Sequence, residues 1–177
     1  FISERVSSSS LKYFSSISNY SHDRGLDRIV DIDGKAILDG KIFVASTYQG
    51  NIMAIDISTG KPLWQEKFSS TKNLTSSRSR IVGVNVKDIV QGFGLSTGVT
   101  VWRQDGLKLR ELSSPVNIKG MIAVGDFEGY IHLLDSRDGT FIGRSKVSSK
   151  PINQISIFSN NLIVTDKSGS LFMLSII

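Results

Sequence analysis

A chain of 177 residues, 40% of them hydrophobic, is long enough for one domain with a real core and too apolar to be disordered. Its formal charge of +5, from 21 Lys+Arg against 16 Asp+Glu, is scattered along the chain, and the densest basic patch, 72–80, is diluted with Ser and Thr; this is a mildly basic surface and not a nucleic-acid interface. The absence of cysteine removes disulfides, thiolate metal sites and cysteine nucleophiles, and no run of about 18 apolar residues is present to span a membrane as a helix.

The sequence begins at Phe1, with neither a methionine nor a charged-then-apolar leader, and reads as a processed product or a fragment. Residues 1–6 alternate weakly and predict a strand of the outer type. Residues 7–21 are rich in Ser and Asn but carry Leu11, Tyr13, Phe14, Ile17 and Tyr20, so they are expected to form a long loop whose aromatics pack on the domain. Residues 1–33 are thus a strand and a Ser-rich loop leading into the blades that occupy 34–177. From Gly34 on, the strand and turn signals become regular. Strands are predicted over 41–46, 52–56 and 61–68, followed by a polar connection over 69–79. The next unit has strands over 80–86, 88–93 and 99–103. A third has them over 114–118, 121–126, 130–135 and 140–147, and a fourth over 152–158, 162–166 and 170–177. No segment sustains a period of 3.6, so almost no helix is expected.

These units share one phrase. It reads Ile55-Asp56-Ile57-Ser58-Thr59-Gly60-Lys61-Pro62-Leu63-Trp64. It returns as Phe93-Gly94-Leu95-Ser96-Thr97-Gly98-Val99-Thr100-Val101-Trp102, and more weakly as Leu134-Asp135-Ser136-Arg137-Asp138-Gly139. Repetition at about 40 residues with apolar runs on both sides of each turn predicts an all-β propeller of four-stranded antiparallel blades, near 34–70, 71–112, 113–148 and 149–177. Gly60, Gly98 and Gly139 supply the positive φ of the turn. Asp56 and Asp135, four residues earlier, are placed to accept backbone N–H groups, whereas Gly94 offers no such side chain. Trp64 and Trp102, four residues after their glycines, are expected to wedge between blades with their N–H groups on backbone carbonyls. The third unit has Gly143 there instead. The fourth unit stops after its third strand, so an incomplete ring is expected. Residues 1–6 would then either close a four-bladed ring or belong to a preceding blade.

Little of this sequence argues for chemistry. His22 and His132 are isolated, and His132 sits inside an apolar strand as a structural histidine. The serines lack a nucleophile elbow. Gly92-Phe93-Gly94 opens no helix and is not a phosphate loop. The carboxylate pairs Asp31/Asp33 and Asp126/Glu128 read as solvated turn residues. No catalytic residue, metal site or cofactor is expected.

The phrase Ala54-Ile55-Asp56-Ile57-Ser58-Thr59-Gly60-Lys61-Pro62-Leu63-Trp64 resembles the repeat of pyrroloquinoline-quinone-type (PQQ-like) propellers. Leu26-Asp27-Arg28-Ile29-Val30-Asp31-Ile32-Asp33, Ser114-Pro115-Val116 and Val124-Gly125-Asp126-Phe127-Glu128-Gly129-Tyr130-Ile131-His132 are similar to the BamB family of the bacterial outer-membrane β-barrel assembly (BAM) complex. The resemblance runs from about Asp27 to the C-terminus and is poor over 69–90. It implies an eight-bladed, non-enzymatic lipoprotein scaffold in the periplasm, held at the outer membrane by a lipid anchor outside this chain, which would be the C-terminal half. It implies docking on the POTRA domains of BamA and contact with other BAM components, unfolded outer-membrane proteins being possible substrates. The partner-binding loop carries over to Arg28, Asp31 and Asp33. The alternatives are a fragment of a quinoprotein dehydrogenase, whose vicinal cysteine pair this chain lacks, and an unrelated propeller adaptor, whose Gly-His and Trp-Asp dipeptides are missing.

Overall fold

The computed structural model describes residues 34–48 and 50–176, which form strands, turns and loops with no helix. The expected strand over 1–6, the Ser-rich loop and the candidate contact residues Arg28, Asp31 and Asp33 lie outside the described residues. Among the described residues, fifteen strands form four antiparallel sheets. The first sheet is β1 (Ile37–Asp39), β2 (Ile42–Ser46), β3 (Asn51–Asp56) and β4 (Lys61–Lys67). The second is β5 (Thr75–Ser77), β6 (Arg80–Val84), β7 (Val90–Gly94) and β8 (Thr100–Gln104). The third is β9 (Val116–Ile118), β10 (Met121–Gly125), β11 (Tyr130–Asp135) and β12 (Phe141–Lys146). The fourth has three strands, β13 (Ile152–Phe158), β14 (Asn161–Asp166) and β15 (Leu171–Ser175). Each is a simple meander, and the first strands β1, β5, β9 and β13 approach one another in sequence. This is the radial stacking of propeller blades about a common axis.

Two three-residue strands were not foreseen. β5 lies inside the segment expected to be a polar connection, and β1 precedes the first expected strand. Thr75-Ser76-Ser77 carries no apolar alternation. It is a strand because it lines the axis and bonds to its neighbours: Asn117 N–H donates to Thr75 Oγ1 at 3.2 Å, and Asn117 Nδ2 donates to the Ser76 carbonyl at 2.8 Å. The same inner register is stitched by Lys35 N–H donating to Asn73 Oδ1 (2.8 Å) and Asn73 N–H donating to Ser114 Oγ (3.0 Å).

The runs Ile81-Val82-Gly83-Val84 and Met121-Ile122-Ala123-Val124 read as continuous rather than alternating because both faces of the inner strands are buried. Successive side chains of a strand point to opposite faces. Ile81 therefore joins Val44, Ile52 and Ala54 in the seam between the first two blades, while Val82 and Val84 meet Ile122, Val124 and Leu134 in the next. Ala123 turns the other way, to Ile155, Leu162 and Val164 in the seam between the third and fourth. Each such aliphatic side chain, fully buried, is worth about 1.5–3 kcal/mol of transfer free energy before conformational entropy is subtracted.

The connections between third and fourth strands follow the repeated phrase. Gly60, Gly98 and Gly139 have φ of 68°, 71° and 75° and donate back to the carbonyls of residues 56, 94 and 135 at 2.7–2.8 Å. Asp56 Oδ1 accepts Ser58 N–H at 2.8 Å, and Asp135 Oδ1 accepts Arg137 N–H at 2.8 Å. The Arg137 guanidinium also bonds Asp135 and, with the Arg137 backbone N–H, holds that half-buried carboxyl down at about 2. At Gly94 only backbone bonds are made. A register shift precedes this turn in each of the first three blades, beside Ala54, Gly92 and Leu133. The residues opposite those three are Trp64, Trp102 and Gly143. Trp64 Nε1 donates to the Leu95 carbonyl of the second blade at 2.7 Å, and Trp102 Nε1 to the Ser136 carbonyl of the third at 3.0 Å. Their rings lie on Gly98 and Gly139, where a Cβ would fall 2.5 and 2.4 Å from indole carbons.

Candidate binding surface

The connections between second and third strands define the opposite end of the blades. A short polar acceptor opens each one, at Thr47, Asn85, Asp126 and Asp166. Asn85 Oδ1 accepts the N–H groups of Lys87 and Ile89 at 2.9 and 3.0 Å, and Thr47 Oγ1 accepts Asn51 N–H at 3.2 Å. Asp126 Oδ1 accepts Glu128 and Tyr130 N–H at 3.0 and 2.9 Å; Asp166 Oδ1 accepts Ser168 and Ser170 N–H at 2.9 and 3.0 Å. This second turn motif escaped the reading of the sequence, although its signal is the recurrence of an acceptor at 47, 85, 126 and 166. The following residue then fastens the turn to the loop before its blade. Val86, Phe127 and Lys167 N–H donate to the carbonyls of Ser69, Arg110 and Pro151 at 3.0, 2.9 and 2.9 Å. Asp88 adds its carboxylate to Glu111 and Leu112 N–H at 2.9 and 3.0 Å. The result is a platform with its backbone groups largely spoken for.

Asp126 is not the solvated turn residue expected from its spacing to Glu128. It is fully buried. Its Oδ2 accepts Arg110 Nε at 2.8 Å and lies 2.8 Å from Nε2 of the buried His132. Burial pushes this carboxyl up, but the bonds from His132, Tyr130 N–H and Arg110 outweigh it and hold the group below the ordinary carboxylate range. Arg110 also pairs with Glu128 and lies over Phe127, 5.3 Å from the ring centroid. In the fourth blade the Ser148 hydroxyl replaces this network, donating to Asp166 Oδ2 at 2.6 Å; that bond, then those from Ser168 and Ser170, depress Asp166 to about 2. His132 thus sits where the sequence placed it, inside a strand, with its ring satisfied by a carboxylate and packed near Phe141.

At this end the loops surround a depression of about 500 Å³ lined by Tyr48, Lys72, Val86, Asp88, Glu111 and Lys167 among others. Asn153 leads from it to a second cavity of about 300 Å³ along the inner strands, between Lys35, Asn73, Asn117 and Gln154. The upper rim carries exposed Tyr48 and Val86 beside charges of both signs, and Lys167 pairs with Glu111 at 3.4 Å across it. Among the described residues no group of three His, Asp or Glu side chains converges as a metal site. The arrangement offers a concave surface of mixed polarity, suited to binding.

Residues 9–175 match the sequence family described as outer membrane protein assembly factor BamB. The chain belongs to the BamB family. It is 33% identical over 151 residues to the BamB of Legionella pneumophila (strain Paris), covering 85% of this chain and 39% of that protein. The BamB of Pseudomonas aeruginosa is 38% identical over 124 residues, 70% of this chain and 33% of the relative. In three dimensions the crystal structure of BamB from Moraxella catarrhalis superposes with a TM-score of 0.79 at 29% identity, over 84% of this chain and 45% of that one. The chain therefore spans less than half the length of these BamB relatives.

Proposed function

We propose that this BamB-family chain is part of a non-enzymatic scaffold for outer-membrane protein assembly, working at the periplasmic face of the outer membrane through a lipid anchor on the complete protein. The observation that carries the reading is the match of nearly the whole chain to the assembly-factor family. The side chains support it. The buried groups Asp126 and Asp166 accept turn N–H groups and His132 bonds Asp126, so each has a place in holding the blade loops.

The partner in this reading is the POTRA region of a BamA-type subunit, met by Arg28, Asp31 and Asp33. Asp31 and Asp33 alternate with Val30 and Ile32, which places acidic acceptors beside apolar contact area. Truncating one member of a desolvated charge pair costs about 2–5 kcal/mol, whereas a charge at the rim mainly alters association rate and salt dependence. The test is a pull-down of POTRA domains by the complete protein carrying Asp31→Arg with Asp33→Arg. Binding is expected to be lost with thermal stability unchanged. Full binding at physiological salt would place the partner surface elsewhere.

A further inference from the structure

The outermost strands of the first three blades are not equivalent. β4 and β8 are pinned to the next blade by Trp64 and Trp102, and β8 also by Gln104 Nε2, which donates to the Gly139 carbonyl at 3.0 Å. β12 has Gly143 at the wedge register, with nothing within 4 Å of where its Cβ would be. All six of its residues are exposed, Phe141 and Ile142 among them, and its outer edge pairs with no strand among the described residues. β4 carries Pro62, which has no N–H to offer a newcomer; β12 has no proline. An open edge of this kind is a template for another strand.

Charge says which strand. Arg144 and Lys146 are two residues apart and so project from one face of β12. Both stand over the Tyr130 ring, with the guanidinium carbon at 5.4 Å and Nζ at 4.6 Å from its centroid. Neither has a carboxylate partner among the described residues, because the nearby Glu128 carboxylate is taken by Arg110 and Lys146 reaches only the Glu128 carbonyl. A second copy of β12 laid antiparallel with Arg144 opposite Lys146 would set like charges against each other, which is unfavourable.

We propose that β12 is a strand-addition site for an extended segment of a protein partner, whose carboxylates at alternate positions meet Arg144 and Lys146. The proposal uses none of Arg28, Asp31 and Asp33 and does not rest on the reading of that loop. Backbone pairing would supply the adhesion and the two cations the selection.

The probe is a fluorescent peptide of roughly ten residues alternating Glu and Val, a length typical of long strands. It is titrated into the full chain and followed by anisotropy, with hydrogen exchange to locate it. Binding with protection of β12 amides is expected. Arg144→Glu with Lys146→Glu should weaken it by at least about tenfold, and a Lys–Val peptide should bind that double variant in its place. N-methylation of alternate peptide amides should also abolish binding, since it removes ladder donors and leaves the charge. Circular dichroism of the double variant checks that the fold is kept; if it is lost, the N-methylated peptide on the unaltered chain decides alone. Equal binding of the N-methylated peptide would overturn strand addition, and equal binding by a folded double variant would overturn the site. So would failure of the peptide where phosphatidylglycerol vesicles bind in an Arg144- and Lys146-dependent manner.

Discussion

Replacing the Asp126 carboxylate by an amide leaves Arg110 facing a neutral oxygen and His132 without its charged partner. Removing one member of a buried pair costs about 3–5 kcal/mol. Because Arg110 is partly exposed, Asp126→Asn is expected near the lower end, about 3 kcal/mol in urea unfolding. A cost under about 1 kcal/mol would show that the turn holds without the network. The same residue sets a pH dependence. Asp126, Asp135 and Asp166 all lie below their ordinary value of 3.8 in the fold, the last two at about 2. A depressed carboxyl contributes stability that is present above its unfolded value and is lost as pH falls through its folded one. Stability is therefore expected to be flat from neutrality down to about pH 5 and to fall between about pH 4 and 2, less steeply in Asp126→Asn. Melting curves across that range check it; an unchanged slope in the variant would remove Asp126 from the account. None of this was visible in the spacing of Asp126 and Glu128. Arg110 lies 16 residues upstream and His132 six downstream, and only the register of β10 on β11 and the path of the loop before β9 bring them to one oxygen.

Between β8 and the third blade, Trp102 and Gly139 form one joint. Gly139 combines a positive φ with an indole 2.4 Å from its would-be Cβ. Gly139→Ala is expected to cost about 2–4 kcal/mol, from left-handed strain together with overpacking. Trp102→Ala is expected to cost about 3–5 kcal/mol. The double variant should fall short of the sum by about 1–2 kcal/mol, because removing the ring removes the clash. Strict additivity in a denaturation cycle would mean that the ring and the glycine act separately. This joint was legible because a tryptophan recurring four residues after a turn glycine, at Trp64 and Trp102, marks a large ring that takes the same seat in the first two units. β1 and β5 were not, since three residues give no period to read and their strand state comes from neighbours along the axis. The open edge of β12 could be anticipated only in part: Gly143 at the wedge position is visible in the sequence, but the isolation of Arg144 and Lys146 from the carboxylates of the described residues is a matter of geometry.

At the scale of the whole described structure, the apolar residues divide into seams between neighbouring blades, and the second and third sheets each contribute their two faces to different seams. Such stacks are stabilised by nearest-neighbour terms. Ile155→Ala, in the seam between the third and fourth blades, is expected to cost about 2–4 kcal/mol. It should speed amide exchange in β10 and β14 while β2 and β3 keep their protection. Uniform loss of protection would show a single cooperative core instead. The joints along these seams also differ in thickness from axis to rim. At the first two joints, successive blades are spaced near the axis by one amide or hydroxyl, as where Asn73 and Ser114 receive a neighbour's N–H; at the rim of the same joints the spacer is an indole. A row of slabs with thin joints inside and thick joints outside cannot run straight. It bends like the stones of an arch, and the taper of these paired spacers sets the radius of that bend.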